Sequence, residues 1–111
     1  MAGQYTIEDH PIDATGTLQL LSDGIYVIPT STGITMEGIT YPPQGAGLEI
    51  VIYNDGAQDI TIAHANANAD PYDRIYLTSG TDHTLAPGAE LYGWSHPTSK
   101  GGGWRIDNGG Q

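Results

Sequence analysis

Hydrophobic and polar positions alternate along much of this chain. Leu48, Ile50 and Ile52 fall on one face of a run whose other face carries Glu49, Val51 and Tyr53, Ile60 and Ile62 bracket Thr61, and Ile75 and Leu77 bracket Tyr76. A period of two is that of a β-strand, whose successive side chains point to opposite faces. Further short apolar runs cover 17–21, 24–28, 34–37, 39–41, 91–94 and 104–106, and turn signals separate them: Asp23-Gly24, Pro29, Gly38, Pro42-Pro43-Gln44-Gly45, Asn54-Asp55-Gly56 and Pro87-Gly88. Asp-Gly between two strands predicts a hairpin joining 17–21 to 24–28. The Ala63-to-Pro71 stretch predicts an exposed loop, and Ser99 to Gly103 a flexible hairpin tip. No segment sustains helical periodicity between caps, so almost no helix is expected. Some nine short strands predict an all-β domain: a small β-sandwich, jelly-roll-like, or an irregular barrel. Leu48, Ile50, Ile52, Ile60, Ile62, Ile75 and Leu77 are its expected interior.

Two features depart from this pattern. Val51 and Tyr53 occupy the face that a half-exposed strand would leave polar, which predicts that a second subunit or the N-terminal segment covers them. Residues 1–14 have no periodicity, and Pro11 forces an extended path there. They read as an extended N-terminal arm ahead of a single β domain, 15–111. Such an arm spans on the order of 45 Å. It could add a strand to a partner's sheet edge, with Tyr5 and Ile7 as anchors on one side and Pro11 and Ile12 following.

Composition narrows the partners. The 111 residues make one domain, with 38% hydrophobic residues, 16 Gly, 7 Pro and no Phe, so Tyr, Trp and aliphatic side chains must fill the core. The formal net charge is −10, and Arg74, Lys100 and Arg105 are the fixed cations. That excludes a surface for nucleic acid or anionic membrane, both of which need clustered Lys and Arg. No Cys is present, which excludes disulfides, thiolate metal sites and thiol catalysis. The N-terminus has no basic segment leading into an apolar one, and no apolar run reaches the length of a membrane span. Synthesis in a cytoplasm is expected.

Candidate chemistry is sparse. His10, His64, His83 and His96 show no metal-ligand spacing, and Ser22, Ser31, Ser79, Ser95 and Ser99 lie in no nucleophile elbow. Asp70, Asp73 and Asp82 offer oxygen ligands outside any calcium-loop pattern and read as solvated turn residues. No catalytic residue, cofactor or metal is assigned. The aromatics Tyr26, Tyr41, Tyr53, Tyr72, Tyr76, Tyr92, Trp94 and Trp104 sit in or beside strands. They suit the core, a subunit interface or a saccharide-stacking platform. Trp104 is expected beneath the last strand, with Arg105 pairing a carboxylate.

The Leu-Glu-Ile-Val-Ile strand with its Asn-Asp-Gly turn, then Ile-Thr-Ile, a polar loop, Leu-Ala-Pro-Gly and a closing Gly-Trp-Arg resemble small β-structured virion proteins of tailed bacteriophages. These include capsid decoration (cement) proteins, head fibres and tail-fibre tips. The resemblance covers roughly residues 17–107. It implies a homotrimer on the virion surface, no catalysis, and attachment to the major capsid protein by the N-terminal segment. The absence of repetitive shaft sequence favours decoration of the capsid. The alternative is a tail-tip or host-surface glycan-binding module.

Overall fold

The computed structural model describes residues 7–20, 26–29, 33–43 and 45–108. Its strands are β1 (Ile7–His10), β2 (Thr17–Leu18), β3 (Tyr26–Pro29), β4 (Thr35–Met36), β5 (Gly38–Ile39), β6 (Glu49–Tyr53), β7 (Ile60–Ile62), β8 (Ile75–Leu77), β9 (His83–Leu85), β10 (Glu90–Ser95) and β11 (Trp104–Asp107). The helical elements among the described residues are two single 3-10 turns, Pro71–Asp73 and Thr98–Lys100. The domain is therefore predominantly β, as the alternation predicts.

Three sheets form. The largest has the order β1-β3-β6-β10-β11-β8; β2 pairs with β5, and β4-β7-β9 make the third. Many pairings are parallel and join successive passes of the chain. Ile7 lies opposite Tyr26, and Tyr26 opposite Val51; Thr17 lies opposite Gly38, and Thr35 opposite Thr61. The chain thus winds, each pass stacking on the one before. Antiparallel β10 then closes on β6, and β11 on β10.

This winding differs from two expectations. The Asp23-Gly24 hairpin is not formed by the described strands: β2 pairs with β5, while β3 lies between β1 and β6. Residues 21–25 themselves are outside the described set. The extended arm is also not free along its predicted length. Ile7–His10 is a strand of the main sheet, Pro11 accepts a hydrogen bond from the Gln19 amide, and Ile12 is 7% exposed in the core. Buried His10 fastens this segment, with Nδ1 donating to the Gln19 carbonyl (3.0 Å) and Nε2 against the Glu8 carboxylate (3.1 Å). A single apolar anchor plus a strand register outweighs the absence of periodicity. Tyr5 and the rest of 1–6 lie outside the described residues.

One core underlies all three sheets. Leu18, Met36, Ile39, Ile50, Ile52, Ile60, Ile62, Ile75 and Ile106 are completely buried, and Leu48 packs partly buried against them. Trp104 is also completely buried, and its indole N–H donates to the Ile39 carbonyl at 3.0 Å. The aromatic polar handle thus finds the partner that burial requires.

Neighbouring strands turn from one sheet into another at two adjacent corners. β6 leaves the main sheet for β7, and β9 enters it as β10. Asn54, wholly buried, ties the corners together. Its Nδ2 donates to the Leu85 and Gln58 carbonyls, both at 2.8 Å, and its Oδ1 accepts from the Gly56 amide at 3.0 Å. Its own amide donates to the Ala89 carbonyl, and its carbonyl accepts from the Gly88 amide.

Candidate functional site

Strand alternation places the inner residues of the main sheet in the core and sends another set outward. Cross-strand register arranges the outward set in rows. Tyr26, Val51, Tyr92 and Asp107 form one row. Glu49, Trp94, Arg105 and Tyr76 form the next, and Tyr53 faces Glu90 beyond. The outer face of the sheet is therefore aromatic, although the protein as a whole is acidic. Val51 and Tyr53, the predicted interface residues, sit within this face and are half-buried, with the Tyr26 ring against Tyr53.

The rings brace one another. Tyr26 and Tyr53 have centroids 5.6 Å apart at 43°, and Tyr92 and Trp94 5.8 Å apart at 42°. The Arg105 guanidinium lies 4.4 Å over the Tyr76 ring and donates to the Gly102 carbonyl at 3.2 Å. Arg105, expected against a carboxylate, thus makes a cation–π contact, worth about 0.5–1 kcal/mol at an exposed site. His64 meets the Tyr76 ring edge-on at 6.0 Å.

The carboxylates of the face are engaged by tyrosine hydroxyls. The Tyr26 hydroxyl donates to Glu90, and this bond, then partial burial and the Glu90 charge, push the phenol up to about 12. The Tyr92 hydroxyl is likewise held above its ordinary value, first by its hydrogen bond to Glu49. Each pair lets the face carry polar groups that already have partners. At the end of the strand, desolvation followed by the charges of Arg105 and Lys100 lowers the His96 imidazole below its usual range.

The other candidates fall elsewhere. His83, expected in a turn, starts β9, and its Nδ1 lies 3.3 Å from Asn108. His64 Nδ1 accepts from the Leu77 amide (3.0 Å), and Asp82 accepts from the His64 amide (2.8 Å). Among the described residues no three His, Asp or Glu side chains converge as metal ligands. Ser95 is buried and spans the Leu48 amide and the Gly45 carbonyl. A cleft of about 630 Å³ lies over Asp13, Gly16, Thr35 and Glu37. Asp13 there is spent on its own turn: hydrogen bonds from the Thr15 hydroxyl, then Thr17, hold its carboxyl below the usual range. Of the predicted arm residues, Ile7, Pro11 and Ile12 belong to the body described above. Ile7–His10 borders β3 at the sheet edge and does not cross the outer face.

The sequence named every ring on this face without revealing that they share it. The triple glycine also carried an unread signal. Gly102 and Gly103 are buried with φ of 66° and 79°, and a Cβ would come within 2.6 Å of the Tyr72 ring at Gly102 and 2.9 Å of the Tyr76 ring at Gly103. Read as a flexible tip, they form instead the surface on which two tyrosines lie.

No protein-family profile, curated protein or solved structure matches the chain.

Proposed function

We propose that this chain is a non-enzymatic structural protein of a tailed-phage virion, a homotrimer that decorates the head by binding across major capsid subunits. The outer face of the main sheet is the observation that carries the docking role. Its rings are braced in pairs, and Glu49 and Glu90 already accept from tyrosine hydroxyls, so covering the face strands few polar groups. A second copy is the occupant of this face in our reading: Val51, Tyr53 and Tyr92 are the apolar contribution that it would bury. Full burial of each such side chain contributes roughly 1.5–3 kcal/mol. In this reading the three sheets wrap the core as an irregular barrel, and the acidic remainder of the surface meets a basic capsid shell. The virion assignment rests on the sequence resemblance. The arm is reduced to residues 1–6, with Tyr5 as its anchor.

Sedimentation equilibrium of the full chain tests the assembly, and co-sedimentation with purified heads tests the attachment. A trimer at micromolar concentration that V51D dissociates is expected. A monomer insensitive to V51D removes the trimer. Failure to sediment with heads removes the capsid role and leaves the trimer standing. Deleting 2–6 should release the protein from heads with folding intact, whereas deletion through residue 13 removes β1 and Ile12 and should unfold it.

A further inference from the structure

A second aromatic feature lies beside the outer face, at the glycine hairpin. Tyr41 and Tyr72 stand with centroids 6.0 Å apart at 48° and, with Asp70, Pro71 and Asp73, line an open cleft of about 410 Å³. Tyr72 is 50% exposed, although it lies on Gly102. The positions are fixed from below. The Tyr41 hydroxyl donates to the His96 carbonyl at 2.6 Å, its amide donates to Asp73 Oδ1 at 2.9 Å, and the Asp73 amide closes the 3-10 turn on the Asp70 carbonyl at 2.8 Å.

The charge of this cleft is uncompensated. Among the described residues no lysine or arginine lies within ion-pair distance of Asp70 or Asp73. Arg74, the nearest in sequence, turns its guanidinium to the Ala69 and Ala67 carbonyls. Desolvation, and secondarily the charge of Asp70, raise the Asp73 carboxyl above its usual range. Two anionic groups therefore sit next to two electron-rich ring faces with nothing positive between them. Both the ring quadrupole and the carboxylates attract the same ligand, an organic cation.

We propose that the cleft between Tyr41 and Tyr72 receives a cationic side chain, the ammonium of a lysine or the guanidinium of an arginine, presented by the capsid protein on which the trimer sits. The Asp70 and Asp73 carboxylates accept its N–H bonds, and the tyrosine rings cover its methylene stem. This deepens the docking role above by naming the chemistry the partner must offer. The glycine hairpin supplies the continuity: Gly102 carries Tyr72 of the cleft, and Gly103 carries Tyr76 of the outer face. A capsid subunit seated on the cleft therefore abuts the second copy that covers the outer face.

The test uses the free full-length chain, so it is independent of trimer formation and of heads. Butylammonium is titrated at low salt while the Tyr72 and Tyr41 ring resonances are followed by NMR. Pentanol, a neutral analogue, and methyl β-glucoside are titrated in parallel. Saturable shifts with Kd on the order of 10–100 mM are expected for butylammonium alone. They should weaken about threefold or more at ~0.5 M salt, because the carboxylates are solvent-accessible. D70N/D73N should abolish the salt dependence, and Y72L should weaken binding with the far-UV circular dichroism spectrum unchanged. Equal response to pentanol would overturn the proposal in favour of a merely apolar groove. Response to the glucoside alone would overturn it in favour of a saccharide subsite. No response to butylammonium, with trimer and head binding intact, would sink the cleft and leave the docking role untouched.

Discussion

Asn54→Ala should be among the most damaging single substitutions in this protein. The side chain has no solvent exposure, and it spends its hydrogen bonds on three backbone groups in two separate turns, Gly56 and Gln58 in one and Leu85 at the other. Alanine removes the donor to the Leu85 carbonyl, which lies in the interior, and leaves that oxygen without it. The Gln58 carbonyl and the Gly56 amide lie nearer solvent and recover part of their loss from water. A stranded interior group costs about 1–3 kcal/mol and each of the two other bonds about 0.5–1.5 kcal/mol, so the total is roughly 2–6 kcal/mol. Native domains are stable by only about 5–15 kcal/mol, so this is a large share. With roughly 4 °C per kcal/mol for a domain of this size, Tm should fall by about 8–24 °C. N54D provides an internal control. It keeps the acceptor for Gly56 but turns a carboxylate towards two carbonyl oxygens, so at neutral pH it should be worse than alanine. Those carbonyls raise the introduced acid's folded pKa, so its penalty should shrink as pH falls through that value and a donating O–H returns. A calorimetric Tm for N54A within about 3 °C of the parent would refute the reasoning, because the backbone bonds through Ala89 and Gly88 would then suffice to hold the corner.

Two further outcomes follow from the sheet. Tyr26 should ionise only as pH approaches about 12, and E90Q should return it towards 10, read by absorbance of the phenolate. Because the folded pKa is raised, the contribution of this pair is complete below pH 10 and disappears as pH rises through the folded value. A tyrosine set titrating uniformly near 10 would contradict the bond. Gly93→Ala should destabilise by about 1–3 kcal/mol in chemical denaturation, since overpacking forces neighbours to shift. The added Cβ would lie 2.3 Å from Ile106 Cδ1 and 2.9 Å from the Arg105 carbonyl. An unchanged midpoint would show that β10 and β11 separate freely at that point.

The alternation at 48–53 was legible because one face of that strand is sealed against the core, and burial leaves a period in the sequence. Ile50, Ile52, Ile60, Ile62, Ile75 and Leu77 were read correctly for the same reason. Pairing was not legible. The Asp23-Gly24 turn favours a hairpin by a modest local preference, whereas β3 gains two neighbours, β1 and β6, by pairing at long range. Ile12 gave no periodic signal because a single buried residue cannot make one. At the candidate site, Val51 and Tyr53 stood out as apolar where polar residues were expected. Tyr26, Tyr92 and Trp94 did not, since the register that sets Tyr26 and Tyr92 opposite Val51, and Trp94 opposite Glu49, joins strands far apart in the chain. The cleft residues were each visible singly: two tyrosines among many, two aspartates in a loop. Tyr41 and Tyr72 come together only when the segment after β5 meets the 3-10 turn.

The winding has a consequence for how the protein is made. On the ribosome β1 emerges first, but its partner β3 must wait for β6, and β6 for β10, before the main sheet has both neighbours in place. The buried indole comes with β11, the last of the described strands, and reaches back to Ile39. Few stable intermediates are expected along that vectorial route, because early strands expose apolar faces and unpaired edges until β10 and β11 arrive. Nascent chains arrested before Trp104 should therefore remain protease-sensitive however many strands they already contain, and protection should appear in one step once β11 clears the exit tunnel.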